Sequence, residues 1–208
     1  MGSFAEMGWR LAGFSDPDNA GKTANFTEQT AFEKGGKMAF VNQLLLGKAE
    51  GDTLTGGGGK DNIAGNDGDD ILYGGGGSDM ILGGKGFDYI HGGTGADILH
   101  GGAGNDYLFG GAGADYLSGD VGADTLDGGL GADIFAFNVD AENLGSGVDR
   151  VKAFVMGQDA IAIVNGSTAL VSFVDEGSSV GLYYDGEKIA VLLGVHSVPA
   201  DPGLFFGI

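Results

Sequence analysis

The sequence predicts an all-β protein built around a right-handed parallel β-roll of five turns. Three observations lead to this fold class: a nine-residue repeat runs without insertion from residue 47 to residue 136, every repeat begins with glycine, and every eighth place holds a large apolar residue. In solenoids each unit stacks on its neighbours to bury a continuous core. Ten repeats, taken two to a turn of 18 residues, give the five turns.

Each repeat combines a glycine-rich loop with a short strand. Glycines at places one, two and four allow a tight loop that visits positive φ, where a Cβ would clash, and the last three places are strand-forming. When two repeats close one turn, the eighth-place side chains of alternate repeats point inward from two facing parallel sheets. The eighth places are Leu54, Ile63, Leu72, Ile81, Ile90, Leu99, Leu108, Leu117, Leu126 and Phe135.

The sixth place of every repeat is aspartate, and stacking of the turns at about 4.8 Å lines these side chains up in two columns. One column holds Asp52, Asp70, Asp88, Asp106 and Asp124, and the other holds Asp61, Asp79, Asp97, Asp115 and Asp133. About 5 Å apart at an effective dielectric near 20, neighbouring carboxylates repel by on the order of 3 kcal/mol before salt screening. A divalent cation between turns removes this cost. Calcium suits the gap because it accepts roughly six to eight oxygens, backbone carbonyls included, whereas magnesium requires a stricter octahedron.

The repeats resemble a known calcium-binding unit. Residues 101–109, Gly-Gly-Ala-Gly-Asn-Asp-Tyr-Leu-Phe, are similar to the nonapeptide of the RTX (repeats-in-toxin) family. The resemblance implies that each calcium ion takes carbonyls from places two and four and the aspartate of one repeat. Carbonyls from places one and three and the aspartate of the repeat 18 residues later complete the cage. One such cage would be Gly75, Gly77, Asp79, Gly92, Thr94 and Asp97.

Pairing every repeat with the next but one implies at most eight calcium sites. The other implied carbonyl ligands at places two and four are Gly57, Gly59, Asn66, Gly68, Gly84, Gly86, Gly93, Gly95, Gly102, Gly104, Gly111 and Gly113. Those at places one and three are Gly74, Gly76, Gly83, Lys85, Gly101, Ala103, Gly110, Ala112, Gly119, Val121, Gly128 and Leu130. The first repeat departs from the pattern because Lys48 and Glu50 replace the glycines of places two and four. The site that joins it to the third repeat is therefore expected to be weak or distorted, whereas Asn66 and Asp120 at second places are milder departures.

Composition limits the possible partners. The 208 residues include 45 glycines and no cysteine, and the net charge is −19. This acidity argues against nucleic acid and anionic membrane as direct partners, since both require clustered Lys or Arg. The sequence contains no run of 18 apolar residues, so it predicts no membrane-spanning helix. Without cysteine no disulfide can stabilise the fold, which leaves bound metal for that role. Eight bound calcium ions would neutralise most of this charge and bring the net charge from −19 to about −3.

Two further segments flank the roll, which itself spans residues 47–136. Residues 1–46 form an N-terminal flanking or capping segment, in which Met38 to Leu46 is predicted as either a short helix or a strand that enters the roll. Residues 137–208 form a C-terminal antiparallel β cap with hairpin turns at Asn165-Gly166 and Asp185-Gly186. Its candidate strands are Arg150–Phe154, Ala160–Val164, Ala169–Val174, Val180–Tyr184 and Lys188–Val195.

The cap carries a second resemblance. The stretch from Asp149 to Ile163 is similar to the segment that follows the repeats in serralysin-type proteases and secreted bacterial lipases, although Ala153 stands where that family often has a second aspartate. The tail from Leu204 to Ile208 ends in an apolar run, as uncleaved type I secretion signals do in this family. A buried final strand is the alternative, and both can hold together.

These observations favour a calcium-binding module that folds on meeting extracellular calcium. Its implied setting is the tail of a larger secreted protein of a Gram-negative bacterium, with the type I secretion machinery as partner. Two alternatives stay open. The first is an adhesin-like module that binds a glycan or a second copy through its outward-facing aromatic residues. The second is a catalytic role in the tail of a secreted lipase, protease or polysaccharide-modifying enzyme.

Catalytic motifs are weak or absent. No His-Glu-x-x-His motif is present, and no catalytic residue is assigned. Residues 177–181, Gly-Ser-Ser-Val-Gly, match the nucleophile-elbow pattern, but that elbow requires a strand, a turn and a helix, and a β-rich sequence follows here. A hairpin loop is the preferred interpretation. His91 and His100 lie at ninth places of adjacent repeats, on opposite faces of the roll, so they cannot share a metal.

Overall fold

A computed structural model describes residues 42–140, 143–166, 170–195 and 205–207. Residues 205–207 are described by their backbone alone. Within these ranges the chain is all-β, and no helix in them has the length and apolar character needed to cross a membrane. The strands are β1 (Leu44–Leu46), β2 (Thr53–Gly58), β3 (Asn62–Asp67), β4 (Ile71–Gly76), β5 (Met80–Lys85), β6 (Tyr89–Thr94), β7 (Ile98–Ala103), β8 (Tyr107–Ala112), β9 (Tyr116–Val121), β10 (Thr125–Leu130), β11 (Ile134–Asn138), β12 (Asp149–Lys152), β13 (Ala160–Val164), β14 (Val171–Asp175), β15 (Ser179–Tyr184), β16 (Glu187–Leu193) and β17 (Phe205–Gly207).

The strands form two sheets, and the chain alternates between them. One sheet has the order β1-β3-β5-β7-β9-β11-β13-β17, and the other has the order β14-β15-β16-β12-β10-β8-β6-β4-β2. Within the repeats every pairing is parallel and joins residues 18 apart, as in Leu72 with Ile90 and Ile81 with Leu99. The predicted parallel β-roll of about five turns is confirmed.

The core consists of the eighth-place side chains, which stack in two rows between the sheets. Eight of them, from Leu72 to Phe135, are fully buried, while Leu54 and Ile63 at the N-terminal end are almost so. Their neighbours at places seven and nine point outward because successive side chains on a strand alternate between its two faces. Burial of about 0.8 kcal/mol per CH₂ makes this row the main apolar contribution to the fold.

The parallel stacking extends beyond the ten repeats at both ends. Strand β1 pairs with β3, so the last part of the predicted Met38–Leu46 segment is a strand; residues 38–41 lie outside the described residues. At the other end β12 pairs with β10, and β13 pairs with β11, both in parallel. Among the strands of the described residues, antiparallel pairing is confined to β14, β15 and β16. The predicted antiparallel cap is therefore present, but only outside a further stretch of parallel roll.

The outer surface of the nine-stranded sheet carries an aromatic row. Tyr73, Tyr89 and Tyr107 follow one another on successive strands, and the last two rings are stacked with centroids 5.4 Å apart. His91 and Phe109 form a second contact at 4.8 Å. These five residues constitute the aromatic row. Within the described residues it is covered only in part: Tyr73 is 38% exposed, whereas the Lys152 ammonium lies 5.0 Å from the Tyr107 ring centre.

Candidate metal centre

The sixth-place aspartates form two continuous columns. The backbone N–H of each aspartate from Asp52 to Asp115 donates to Oδ1 of the aspartate 18 residues later, at N–O distances of 2.6–3.0 Å. The nine aspartates from Asp61 to Asp133 are at most 2% exposed. Each loop thus turns its carboxylate inward and stacks it on the next turn. The structure brings together the aspartates that the repeat spacing places in each column.

The second oxygen of these carboxylates is left without a partner. In eight consecutive aspartates Oδ2 is buried and accepts no hydrogen bond: Asp61, Asp70, Asp79, Asp88, Asp97, Asp106, Asp115 and Asp124. A buried carboxylate oxygen without a donor is costly, and native proteins rarely leave one. A regular series of such oxygens, one at each step of the stack, is the arrangement expected of a site that a cation completes.

First-place glycines leave the space that a cation would need. A Cβ built on Gly92 would lie 2.5 Å from Oδ2 of Asp97 and 2.7 Å from the carbonyl oxygen of Gly110. The carboxylate of one repeat and the first-place carbonyl of the repeat 18 residues later therefore face the same small gap. Any side chain at this place would fill it.

Carbonyls at places two, three and four complete the surroundings. Places two and four take positive φ, as in Gly75 (+106°) and Gly77 (+118°), and even Asn66 at a second place takes +80°. Their carbonyls face the next turn: a Cβ on Gly77 would lie 1.6 Å from the oxygen of Gly59. The third-place carbonyl of Thr94 accepts the Gly77 N–H at 2.8 Å and keeps one free lone pair.

The donor set fits calcium rather than a metal bound by side chains. In the part of the chain that the structure describes, no group of three or more His, Cys, Asp or Glu side chains surrounds one point. Each gap offers two carboxylates and backbone carbonyls, and oxygen-only ligation with carbonyls is typical of calcium.

Burial perturbs the carboxylates when no cation is present. It is the largest cause that raises the pKa of Asp79, Asp88 and Asp115 to about 6 and the pKa of Asp106 to about 7. The backbone N–H that each carboxylate accepts lowers the pKa, and the aspartates stacked above and below raise it again. The metal-free columns therefore favour protonation well above the usual range of aspartate.

This perturbation predicts how pH acts on the metal-free chain. Unfolded aspartates titrate near 3.9, so the roll binds more protons than the unfolded chain between about pH 4 and 7, and its stability falls as pH rises through that window. In calcium-stripped buffer, acidification from pH 8 to pH 5 should therefore increase the far-ultraviolet strand signal. With calcium at saturation it should not increase. A metal-free signal that is flat or falls on acidification would contradict the expectation.

Sequence reasoning missed two members of the columns. Asp149 and Asp159 are buried, and their Oδ1 atoms accept the backbone N–H of Asp124 and Asp133 at 2.9 and 3.1 Å. The signal was present in residues 144–152, Leu-Gly-Ser-Gly-Val-Asp-Arg-Val-Lys, which keep glycine at places two and four, aspartate at six and an apolar residue at eight. An insertion of residues 137–143 breaks the register and conceals it.

Other candidate chemistry lies apart from the columns. His91 and His100 lie on different sheets, as predicted, and Nδ1 of His100 is 3.0 Å from Oδ2 of Asp120. Residues 177–181 belong to the antiparallel hairpin of β14 and β15, with the Glu176 N–H donating to the Ser179 carbonyl at 2.9 Å, and do not form a strand–turn–helix elbow. His196, the histidine that follows residues 177–181 in the sequence, lies outside the described residues.

Fold and site together define a class of protein: a parallel β-roll whose turns are separated by buried carboxylates and glycine carbonyls arranged for divalent cations. A family model for the RTX calcium-binding nonapeptide repeat, in four copies, matches residues 46–81, 73–108, 82–117 and 100–135. Residues 46–135 therefore consist of RTX nonapeptide repeats, and such repeats bind calcium.

Two solved structures are similar to parts of the chain. No curated protein sequence matches it. The solution structure of the AlgE6R3 subunit of the Azotobacter vinelandii mannuronan C5-epimerase is 29% identical, over 60% of this chain and 81% of that one, with a TM-score of 0.44. The crystal structure of extracellular lipase LipA from Serratia marcescens is 19% identical, over 78% of this chain and 40% of that one, with a TM-score of 0.30.

Proposed function

We propose that this chain is a calcium-dependent folding module that supports the type I secretion and the stability of a larger extracellular protein of a Gram-negative bacterium. The observation that carries the calcium part is the series of eight buried Oδ2 atoms without a partner. Each needs a positive charge once the carboxylate is ionised, and the surrounding donors are oxygens that calcium accepts. The family model that matches the repeats also describes them as calcium-binding.

The proposed ligand set follows the cage implied by the repeats. For a central site it comprises the carboxylates of Asp79 and Asp97 with carbonyls of Gly75, Gly77 and their partners Gly92 and Thr94. Six oxygens from two successive turns match the lower end of calcium coordination. Because the ligands come from residues 18 apart, the ion can bind only when the two turns are stacked. Binding and folding are therefore coupled.

This coupling supports the secretory role. A chain with net charge −19 and 45 glycines gains little from collapse until its carboxylates are neutralised. At low internal calcium it stays extended enough for an export channel, and it folds outside. The resemblance of the Asp149–Ile163 stretch to segments of secreted proteases and lipases agrees with a place at the end of such a protein. The apolar run from Leu204 to Ile208 is the proposed secretion signal. Of this run, the structure describes residues 205–207.

The experiment that tests calcium ligation is the substitution Asp88→Asn. It removes the charge from two consecutive gaps while keeping the shape of the side chain, so the calcium midpoint of folding should rise by about tenfold or more, equivalent to about 1.4 kcal/mol. Calcium titration followed by circular dichroism measures the midpoint. Asp67→Asn is the matched control, because this side chain is exposed and pairs only with Lys85 at 3.1 Å. Equal midpoints for both variants would refute ligation by Asp88.

A second candidate function uses the aromatic row. Stacked rings on a flat sheet surface are suited to bind a sugar ring or a second copy of the chain. Sedimentation and a glycan array, both at saturating calcium, distinguish the two occupants. A monomer that binds no glycan would leave only the folding role. A place in the tail of a secreted enzyme is a third proposal, which the coding sequence upstream of residue 1 would test.

A further inference from the structure

We propose that the ladder of calcium ions is offset by one step from the nonapeptide repeats. The gap between Asp52 and Asp70, inside the repeats, is closed by the protein itself, and the gap between Asp124 and Asp149, which extends beyond them, holds a calcium ion. The inference rests on the proposed function, since it assumes that the intermediate gaps bind calcium. It concerns the four gaps at the ends of the two columns.

The first gap is closed by neutral donors. Lys48 and Glu50 stand at places two and four but do not take positive φ, so the loop of the first repeat has a different course. As a result the Lys48 N–H reaches Oδ2 of Asp52 at 2.6 Å. The side-chain amide of Asn66 donates to the Gly47 carbonyl at 2.8 Å. Oδ2 of Asp52, the atom that lacks a partner in the later gaps, is therefore already satisfied without a cation.

The other column ends in the same way at its N-terminal side. Gln43 occupies the sixth place of a degenerate repeat before the first, and its backbone N–H donates to Oδ1 of Asp61 at 2.6 Å. Its side-chain amide donates to the Gly56 carbonyl at 2.6 Å. A neutral amide thus replaces both the aspartate and the cation that the repeats use further along the column.

A third end is closed near the C-terminal side of this column. Asp159 has both carboxylate oxygens occupied: Oδ1 by the Asp133 N–H and Oδ2 by the Val155 N–H at 2.7 Å. The side-chain amide of Gln158 donates to the fourth-place carbonyl of Gly131. Both oxygens of Asp159 therefore have donors, and Oδ2 of Asp133 is not among the buried oxygens that lack a partner.

The fourth end, between Asp124 and Asp149, is different. Oδ2 of Asp124 is buried and has no partner, and Oδ1 of Asp149 accepts the Asp124 N–H as in the repeats. Gly145 takes a φ of +82°, as second places do in the repeats, and a Cβ on Gly147 would lie 2.2 Å from the Gly122 carbonyl, as in the stacked fourth places. Gly147 itself does not take positive φ, so the loop that precedes Asp149 follows the repeat loops in part. Two buried carboxylates in contact require a cation or a shared proton. This gap keeps two features of the open ones: the unpartnered Oδ2 and the N–H to Oδ1 hydrogen bond.

The offset leaves the total unchanged at eight ions. Seven gaps inside the repeats, beginning at Asp61 and ending at Asp133, and the one that ends at Asp149 each contain one unpartnered Oδ2. The count alone therefore does not distinguish the offset ladder from one in register with the repeats. Variants at the two ends do.

The test is native mass spectrometry of the full chain in saturating calcium, with folding checked by circular dichroism. We expect eight ions for the unmodified chain, seven for Asp149→Asn and eight for the matched control Asp159→Asn. The double variant Lys48→Gly, Glu50→Gly restores the loop glycines of the first repeat and should open its gap, giving nine. A gain of one ion cannot arise from misfolding.

The outcomes separate the inference from the function on which it rests. An unmodified chain that binds no calcium would refute the proposed function. Calcium binding in which Asp149→Asn folds and keeps eight ions, or in which the double variant stays at eight, would refute the offset alone. If Asp149→Asn does not fold, the counts for the unmodified chain and the double variant decide. The repeats contain eight gaps, so a count that rises from eight to nine when the first gap is opened requires that one of the original eight ions lies beyond the repeats.

Discussion

Withdrawal of calcium is expected to abolish the strand signal of the roll at neutral pH. Eight aspartates in the two columns have a buried oxygen without a partner, and turns stacked at a spacing of about 4.8 Å hold their charges against one another. Nothing but a cation or a proton satisfies them. The apolar core is narrow, a double row of single side chains, and cannot offset that cost by itself.

The magnitude follows from linkage. One site filled at a hundred times its dissociation constant stabilises the folded state by about 2.7 kcal/mol, so eight such sites contribute roughly 20 kcal/mol. Folded domains of this size have a net stability of about 5–15 kcal/mol. Calcium is therefore expected to decide between the folded and unfolded states, and not merely to adjust the melting temperature.

Circular dichroism in chelator and in millimolar calcium measures this effect. Two controls separate calcium from general screening: sodium chloride at matched ionic strength and millimolar magnesium, neither of which should restore the signal. Magnesium should fail because it holds its waters and demands a near-ideal octahedron. Equal strand content with and without calcium would contradict the prediction, and recovery by salt alone would contradict its explanation.

Gly77→Ala is expected to be among the most damaging single substitutions in the loops. Gly77 has a φ of +118°, which costs other residues about 1–3 kcal/mol, and its Cβ would lie 1.6 Å from the Gly59 carbonyl oxygen. The turn above would have to shift away from the turn below, and the ligand carbonyl with it. We expect a loss of more than about 3 kcal/mol, or at least about 6 °C in melting temperature at saturating calcium.

The neighbouring glycine provides the control. Gly76 does not take positive φ, and the nearest atom to its Cβ would be the Thr94 hydroxyl at 3.2 Å, the end of a side chain that can rotate; the Gly57 carbonyl oxygen, at 3.9 Å, is an ordinary contact. Gly76→Ala should shift the melting temperature by less than about 2 °C. Calorimetry of both variants at the same calcium concentration makes the comparison. Similar losses at the two positions would mean that loop conformation and stacking do not set the stability of the roll.

Sequence alone was sufficient for the repeated part of the fold. A strict period of nine with glycine, aspartate and an apolar residue at fixed places determines the loop, the strand and the column together, because every repeat has the same neighbours. The buried eighth-place row and the stacked sixth-place aspartates therefore lie where the spacing predicts them. One local rule, applied ten times, leaves few alternatives.

The ends of the roll could not be predicted in this way. An insertion interrupts the nine-residue period before β12. The period therefore predicts neither the parallel pairing of β12 and β13 nor the place of Asp149 and Asp159 in the columns. The amides of Gln43 and Gln158 carry no motif; they matter only because folding brings them to carbonyls 13 and 27 residues away in the chain.

For this protein the sequence by itself determined the roll, its inward apolar row and its two columns of aspartates, because these follow from interactions between repeats of fixed spacing. Only the tertiary structure decided where the ladder of open gaps begins and ends. The physical reason is that a gap is closed by a single hydrogen bond between one donor and one oxygen. Such a contact, formed across an insertion of variable length, is not repeated along the chain and has no sequence pattern. At Asp52 and Asp159 the donor is in place, and at Asp124 it is not.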